Sequence, residues 1–130
     1  MASILKVDTI TGVATAGSIA ITGEGNSTTT NLQQGLAKAW GACTHEAVIT
    51  DSLNLSGGVD NGTGDYTYSF TNNMAAANYS IPANVGYASI ISFDNAEQAS
   101  SSYNLRLFTR ADSLTAADAT NHSTLHGDLA

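Results

Sequence analysis

The chain has 130 residues, four Lys and Arg against eleven Asp and Glu, a formal net charge of −7, and 42% hydrophobic residues, many of them Ala. That length is one ordinary domain, and charge this sparse and scattered excludes nucleic acid, whose phosphates are bound by concentrated Lys and Arg. Cys43 is the only cysteine, so no intrachain disulfide is available; it reads as a small buried thiol at a strand start.

At the N-terminus, Met-Ala-Ser-Ile-Leu-Lys-Val-Asp has neither the basic region nor the apolar run of a secretion signal, and no segment approaches a membrane span. Synthesis in a cytoplasm without membrane insertion is expected. Asn-x-Ser/Thr triplets at Asn26, Asn54, Asn61, Asn78 and Asn121 then follow from an Asn-, Ser- and Thr-rich composition rather than from glycosylation.

Residues 1–30 form a thin leader. Leu5 and Val7 alternate with polar neighbours, as do Ile19 and Ile21, which predicts two short strands. The leader lacks the apolar area to cover them, so they call for a partner: another protein, or the same segment of another subunit, recruited by unpaired backbone groups. Residues 23–30 read as a loop, with Thr30 and Gln33 at capping-box spacing.

A short helix is predicted over 31–40. Leu32, Leu36, Ala39 and Trp40 fall at i, i+4, i+7 and i+8, an apolar stripe for the protein's own β module or for helices of other subunits, with Gly35 permitting close approach. Gly35 costs about 1 kcal/mol relative to Ala, so outside contacts must hold this helix.

Residues 41–130 read as a β module. Strands are predicted at 47–49, 53–55, 66–70, 79–81, 87–93, 103–109 and 124–129, with Tyr66, Tyr68 and Phe70 on one face and a dense turn signal over 60–65. The predicted class is all-β, an antiparallel sandwich or jelly-roll-like module behind a leader and one helix.

Catalytic and metal chemistry find little support. Asp60, Asn61 and Asp65 offer oxygens for Ca²⁺ but lack an EF-hand's ligand series, so a hairpin turn is the better reading. His122 and His126 stand about 13 Å apart if they share a strand face, so a metal there needs copies from other subunits. Asp51, Asp94, Glu97, Asp112 and Asp118 show no grouping that selects a glycosidase pair. No nucleophile elbow occurs, and Gly23-x-Gly25 lacks the rest of a dinucleotide motif. The expectation is a non-enzyme with no cofactor. Arg106 and Arg110 read as partners of nearby acids, with a sugar-accepting role for the aromatic and Asn-rich loops left open.

Four blocks carry a resemblance: Ile4-Leu-Lys-Val-Asp-Thr-Ile10; Gly23-Glu-Gly-Asn-Ser-Thr-Thr-Thr-Asn-Leu-Gln-Gln-Gly-Leu-Ala-Lys-Ala-Trp40; Asp60-Asn-Gly-Thr-Gly-Asp-Tyr66; and His126-Gly-Asp-Leu-Ala130. Together they resemble the tail-fibre or virion-fibre proteins of marine bacteriophages, notably those infecting cyanobacteria. Residues 41–56 and 97–122 lie outside that likeness. The resemblance implies a virion structural protein, a short homotrimeric fibre or spike subunit, tail-associated and contacting the host surface, glycan included. Its leader, through Leu5, Val7, Ile19 and Ile21, would attach to other virion proteins, and Leu32, Gly35, Leu36, Ala39 and Trp40 would meet between subunits. A capsid decoration protein or head spike is the alternative placement; a carbohydrate-binding or polysaccharide-degrading tip protein is the alternative of another class.

Overall fold

The computed structural model describes residues 5–12, 19–22, 29–86, 89–92, 97–109 and 115–130, which divide into two compact units, Met1–Leu36 and Ala37–Ala130. The first unit contains a two-stranded antiparallel pair, β1 (Ala20–Thr22) and β2 (Thr29–Asn31), followed by one helical turn, α1 (Leu32–Gly35). The Leu32 amide donates to the Ile19 carbonyl at 2.8 Å, tying the turn to the start of β1. Segment 5–12 is irregular, so the strand expected at Leu5 and Val7 does not form there.

The expected helix over 31–40 is replaced by that single turn and a strand. Thr30 lies inside β2 instead of capping a helix, and β3 (Ala39–Cys43) takes the residues the stripe would have continued through. Gly35 weakens a segment already too short to be stable as a helix. As β3, the same chain is hydrogen-bonded on both sides.

The second unit is a sandwich of two four-stranded antiparallel sheets. One has the order β4 (Ile49–Leu53), β3, β10 (Asn121–Leu125), β7 (Ala83–Val85); the other has β5 (Leu55–Gly62), β6 (Asp65–Phe70), β9 (Ser102–Thr109), β8 (Ser89–Ser92). The period-2 pattern dictates the core: Tyr66, Tyr68 and Phe70 of β6 and Tyr103, Leu105 and Leu107 of β9 all point inward. The facing sheet contributes smaller groups, Ala39, Cys43, Asn121 and Ser123, with Leu125. Large rings on one sheet thus fill the space left by small residues on the other.

Aromatic packing is continuous through this layer. Tyr68 and Tyr103 lie 5.3 Å apart between centroids, and Phe70 stands 5.6 Å from Tyr103 and 5.7 Å from Tyr79. The buried hydroxyls are satisfied across the sandwich, because the Tyr103 hydroxyl lies 2.6 Å from Ser123 Oγ and Asn121 Nδ2 donates to the Tyr68 hydroxyl at 2.9 Å.

Strand boundaries depart from expectation at positions of positive φ. Ala47 (φ 58°) turns the chain, so β4 begins at Ile49, and Asn54 (φ 61°) separates β4 from β5 where the chain changes sheets. Asn54 is held by its side chain, which donates to the carbonyls of Lys38 and Asn72 and accepts the Asn72 amide at 2.7 Å. The run expected at 79–81 appears as the bridge between Ser80 and His126, and β7 follows. Tyr87, Phe93 and Arg110 lie outside the described residues.

Register places the connections at two opposite ends. The ends of β3, β5, β7 and β9 and the starts of β4, β6, β8 and β10 share one end, where Cys43 pairs with Ile49 and Asn121, Gly62 with Asp65, and Ser89 with Thr109. At the other end the chain joins the sandwich through Ala39, opposite Leu125, and the C-terminal residues pair back onto 73–80.

Candidate functional site at the turn end of the sandwich

The β5–β6 turn at this end is shaped by its sequence. Asp60 Oδ1 accepts the Gly62 amide at 2.9 Å, and Gly62 (φ 136°) and Gly64 (φ 68°) occupy conformations that favour glycine. A Cβ at Gly64 would stand 2.4 Å from the Leu107 carbonyl oxygen and 2.9 Å from the Ala117 amide nitrogen, so β9 and the approach to β10 are both packed against the turn backbone. The turn expected over 60–65 is thus present, and its side chains are committed to it. Asp65 Oδ1 accepts from Asn61 Nδ2 and Asn104 Nδ2, and Arg106 Nη2 lies 3.3 Å from Asp65 Oδ2 and 2.9 Å from Glu97 Oε1. The acid partners expected for Arg106 are these two carboxylates.

Beside this turn lies an open recess of about 240 Å³, lined by His45, Gly86, Asp118, Ala119 and Thr120. Its walls come from three distant segments, two of them joined by one phenol. The Tyr66 hydroxyl, reaching out from the core, lies 3.0 Å from both the His45 carbonyl and Asp118 Oδ1, and Asp118 Oδ1 also accepts the Gly64 amide at 2.7 Å. Burial first, and the Asp118 carboxylate second, push the Tyr66 phenol above its usual range, so it remains a neutral donor. The Gly86 amide donates to the Thr120 carbonyl at 2.9 Å, and a Cβ at Gly86 would meet Thr120 Oγ1 at 2.4 Å. Glycine keeps that wall open.

His45 and Glu46 sit in a turn stapled by Thr44, whose Oγ1 accepts the amides of Glu46 and Val48. His45 Nε2 lies 3.9 Å from Glu46 Oε1, both side chains largely exposed. The lining thus combines the fixed Asp118 carboxylate with His45, Gly86, Ala119 and Thr120, with no Lys or Arg among its residues. No group of three or more potential metal ligands occurs among the described residues. No family model, curated protein or solved structure matches this chain.

The residues expected between subunits fall in both units. Leu32, Gly35 and Leu36 belong to the first unit, with Leu36 54% exposed. Ala39 and Trp40 lie on opposite faces of β3: Ala39 is fully buried in the sandwich core, which removes it as a surface residue, whereas Trp40 is partly exposed beside Leu53 and Thr124. A helical period had placed them on one stripe; the strand period separates them. Of the leader residues, Leu5, Val7 and Ile21 are exposed and Ile19 is partly so. His122 is exposed on β10, and His126 follows it, bonded through its backbone to Ser80. Asp51 lies on β4, while Asp94 and Asp112 fall outside the described residues.

Sequence reasoning named Asp118 only as one carboxylate among several and missed Gly86, Thr120 and the role of the Tyr66 hydroxyl. No local spacing could have grouped them, because β10 lies between β3 and β7 only in the folded sheet.

Proposed function

We propose that this chain is a bacteriophage virion structural protein, a short trimeric fibre or spike subunit associated with the tail, attached by its leader and carrying the sandwich as its distal module. One observation carries the reading: no residue of Met1–Leu36 whose burial is described is buried, and Leu5, Val7, Ile10, Ile21 and Leu36 are each at least half exposed. A segment with apolar side chains and no core of its own gains stability by covering them with a partner. The sandwich, by contrast, encloses a core without the leader.

The resemblance sets the copy number at three and names the virion. The strand order is compatible with that reading, since the chain enters the sandwich at Ala39, at the end opposite Cys43 and Gly62. Antibody raised against residues 37–130 tests the placement on intact particles: labelling at the tail is expected, labelling over the capsid would favour a decoration protein, and unlabelled particles would overturn the virion assignment.

A further inference from the structure

Asn61-Gly62 is the single Asn-Gly pair in the sequence, and such a pair carries a reaction of its own. The backbone nitrogen of Gly62 can attack Asn61 Cγ: a new N–Cγ bond closes a succinimide ring, the Cγ–Nδ2 bond breaks, and ammonia leaves with the proton shed by the attacking nitrogen. Water then opens the ring at either carbonyl, leaving aspartate or isoaspartate. Glycine eases the attack because no Cβ shields its nitrogen. A Cβ built at Gly62 meets nothing within 4 Å, and Asn61 is exposed, so water reaches the pair.

We infer that Asn61 is a latent self-modification site, which the folded β5–β6 turn holds as an amide and which reacts when that turn opens. Both reacting groups are occupied in the fold. Asn61 lies at a β-bulge, where the register shifts between Asp60 and Gly62, and its Nδ2 reaches across to β6, donating to Thr67 Oγ1 at 2.8 Å and to Asp65 Oδ1 at 3.3 Å. The Gly62 amide donates to Asp60 Oδ1 at 2.9 Å, so the attacking nitrogen keeps its proton against an anion. Thr67 and Asp60 are thus positioning residues for a reaction they hold back. Conversion is one-way, because an aspartate at 61 only accepts hydrogen bonds and cannot replace the donor to Thr67 and Asp65. It also sets a third carboxylate beside Asp60 and Asp65, and isoaspartate adds a backbone atom to the bulge. The disturbance reaches Arg106 and Asn104, which are bound to the same Asp65 carboxylate. This chemistry is independent of any assembly of the chain.

The test is incubation of the full chain in mildly alkaline buffer and, in parallel, in denaturing urea, with conversion at Asn61 followed by peptide mapping and an enzymatic isoaspartate assay. In the folded protein, conversion should be at least about tenfold slower than in urea, since it awaits local opening. Thr67→Val removes the shorter acceptor and should raise the folded-state rate about fivefold, the equivalent of one ordinary hydrogen bond, with unchanged circular dichroism. Thr67→Ser keeps the hydroxyl and should hold the parent rate. Asp60→Ala, which frees the Gly62 amide and leaves β6 untouched, is a second accelerating variant. In urea the Thr67 variants should convert alike. Equal rates in buffer and urea, no conversion at Asn61 in urea, a Thr67→Val rate no higher than that of Thr67→Ser, or a difference between the Thr67 variants that persists in urea would each overturn the inference.

Discussion

At the scale of single residues, the tyrosines carry a disproportionate part of this structure. Tyr66 joins the core to two of the three segments that line the recess through one hydroxyl, so Tyr66→Phe should cost about 1–2 kcal/mol in urea unfolding while leaving the aromatic packing intact. A loss within error of zero would show that the hydroxyl is as well satisfied by water. Burial raises Tyr66, Tyr68, Tyr79 and Tyr103 above the ordinary phenol value of 10.0, with Tyr79 pushed up to about 12. Each is neutral in the fold at a pH where the unfolded chain would ionise. Their contribution to stability is therefore complete below about pH 10 and is lost as pH rises through the folded values. Ultraviolet titration should show these phenols ionising late and together with unfolding; a curve matching free tyrosine would contradict the buried placement. Gly64→Ala combines a positive φ with a Cβ against the Leu107 carbonyl, and should lose about 2 kcal/mol or more by the same urea measurement.

At the scale of elements, the sandwich was legible in the sequence where alternation was strong, and the helix was misread where two periods overlapped. Tyr66, Tyr68 and Phe70 announce one buried face, and the glycine- and asparagine-rich run over 60–65 announces its turn. Residues 32–40 satisfy a helical stripe, yet Ala39, Gly41 and Cys43 satisfy an inward-facing strand equally well, and pairing with β4 and β10 decides between them. The recess was illegible because its lining residues become neighbours only through strand order. A consequence follows for Leu36, which is more than half exposed. Leu36→Asp should leave the unfolding midpoint of the sandwich within about 0.5 kcal/mol of the parent while weakening self-association. A large drop in midpoint without a change in assembly would place Leu36 in a core instead.

At the scale of the whole molecule, labour is divided between a first unit in which no residue of described burial is buried and a sandwich with a closed core. Residues 37–130 should fold without the leader, because every strand of both four-stranded sheets lies within them. The full chain should assemble, because its exposed leader side chains gain from covering one another. Sedimentation equilibrium of the full chain beside the 37–130 fragment, at micromolar concentration, tests this directly. Three times the 13.3 kDa chain mass is expected for the full protein, and a lower assembly state for a fragment that keeps its β-sheet circular dichroism. A full chain that sediments as a stable monomer, or a fragment that assembles equally well, would contradict it.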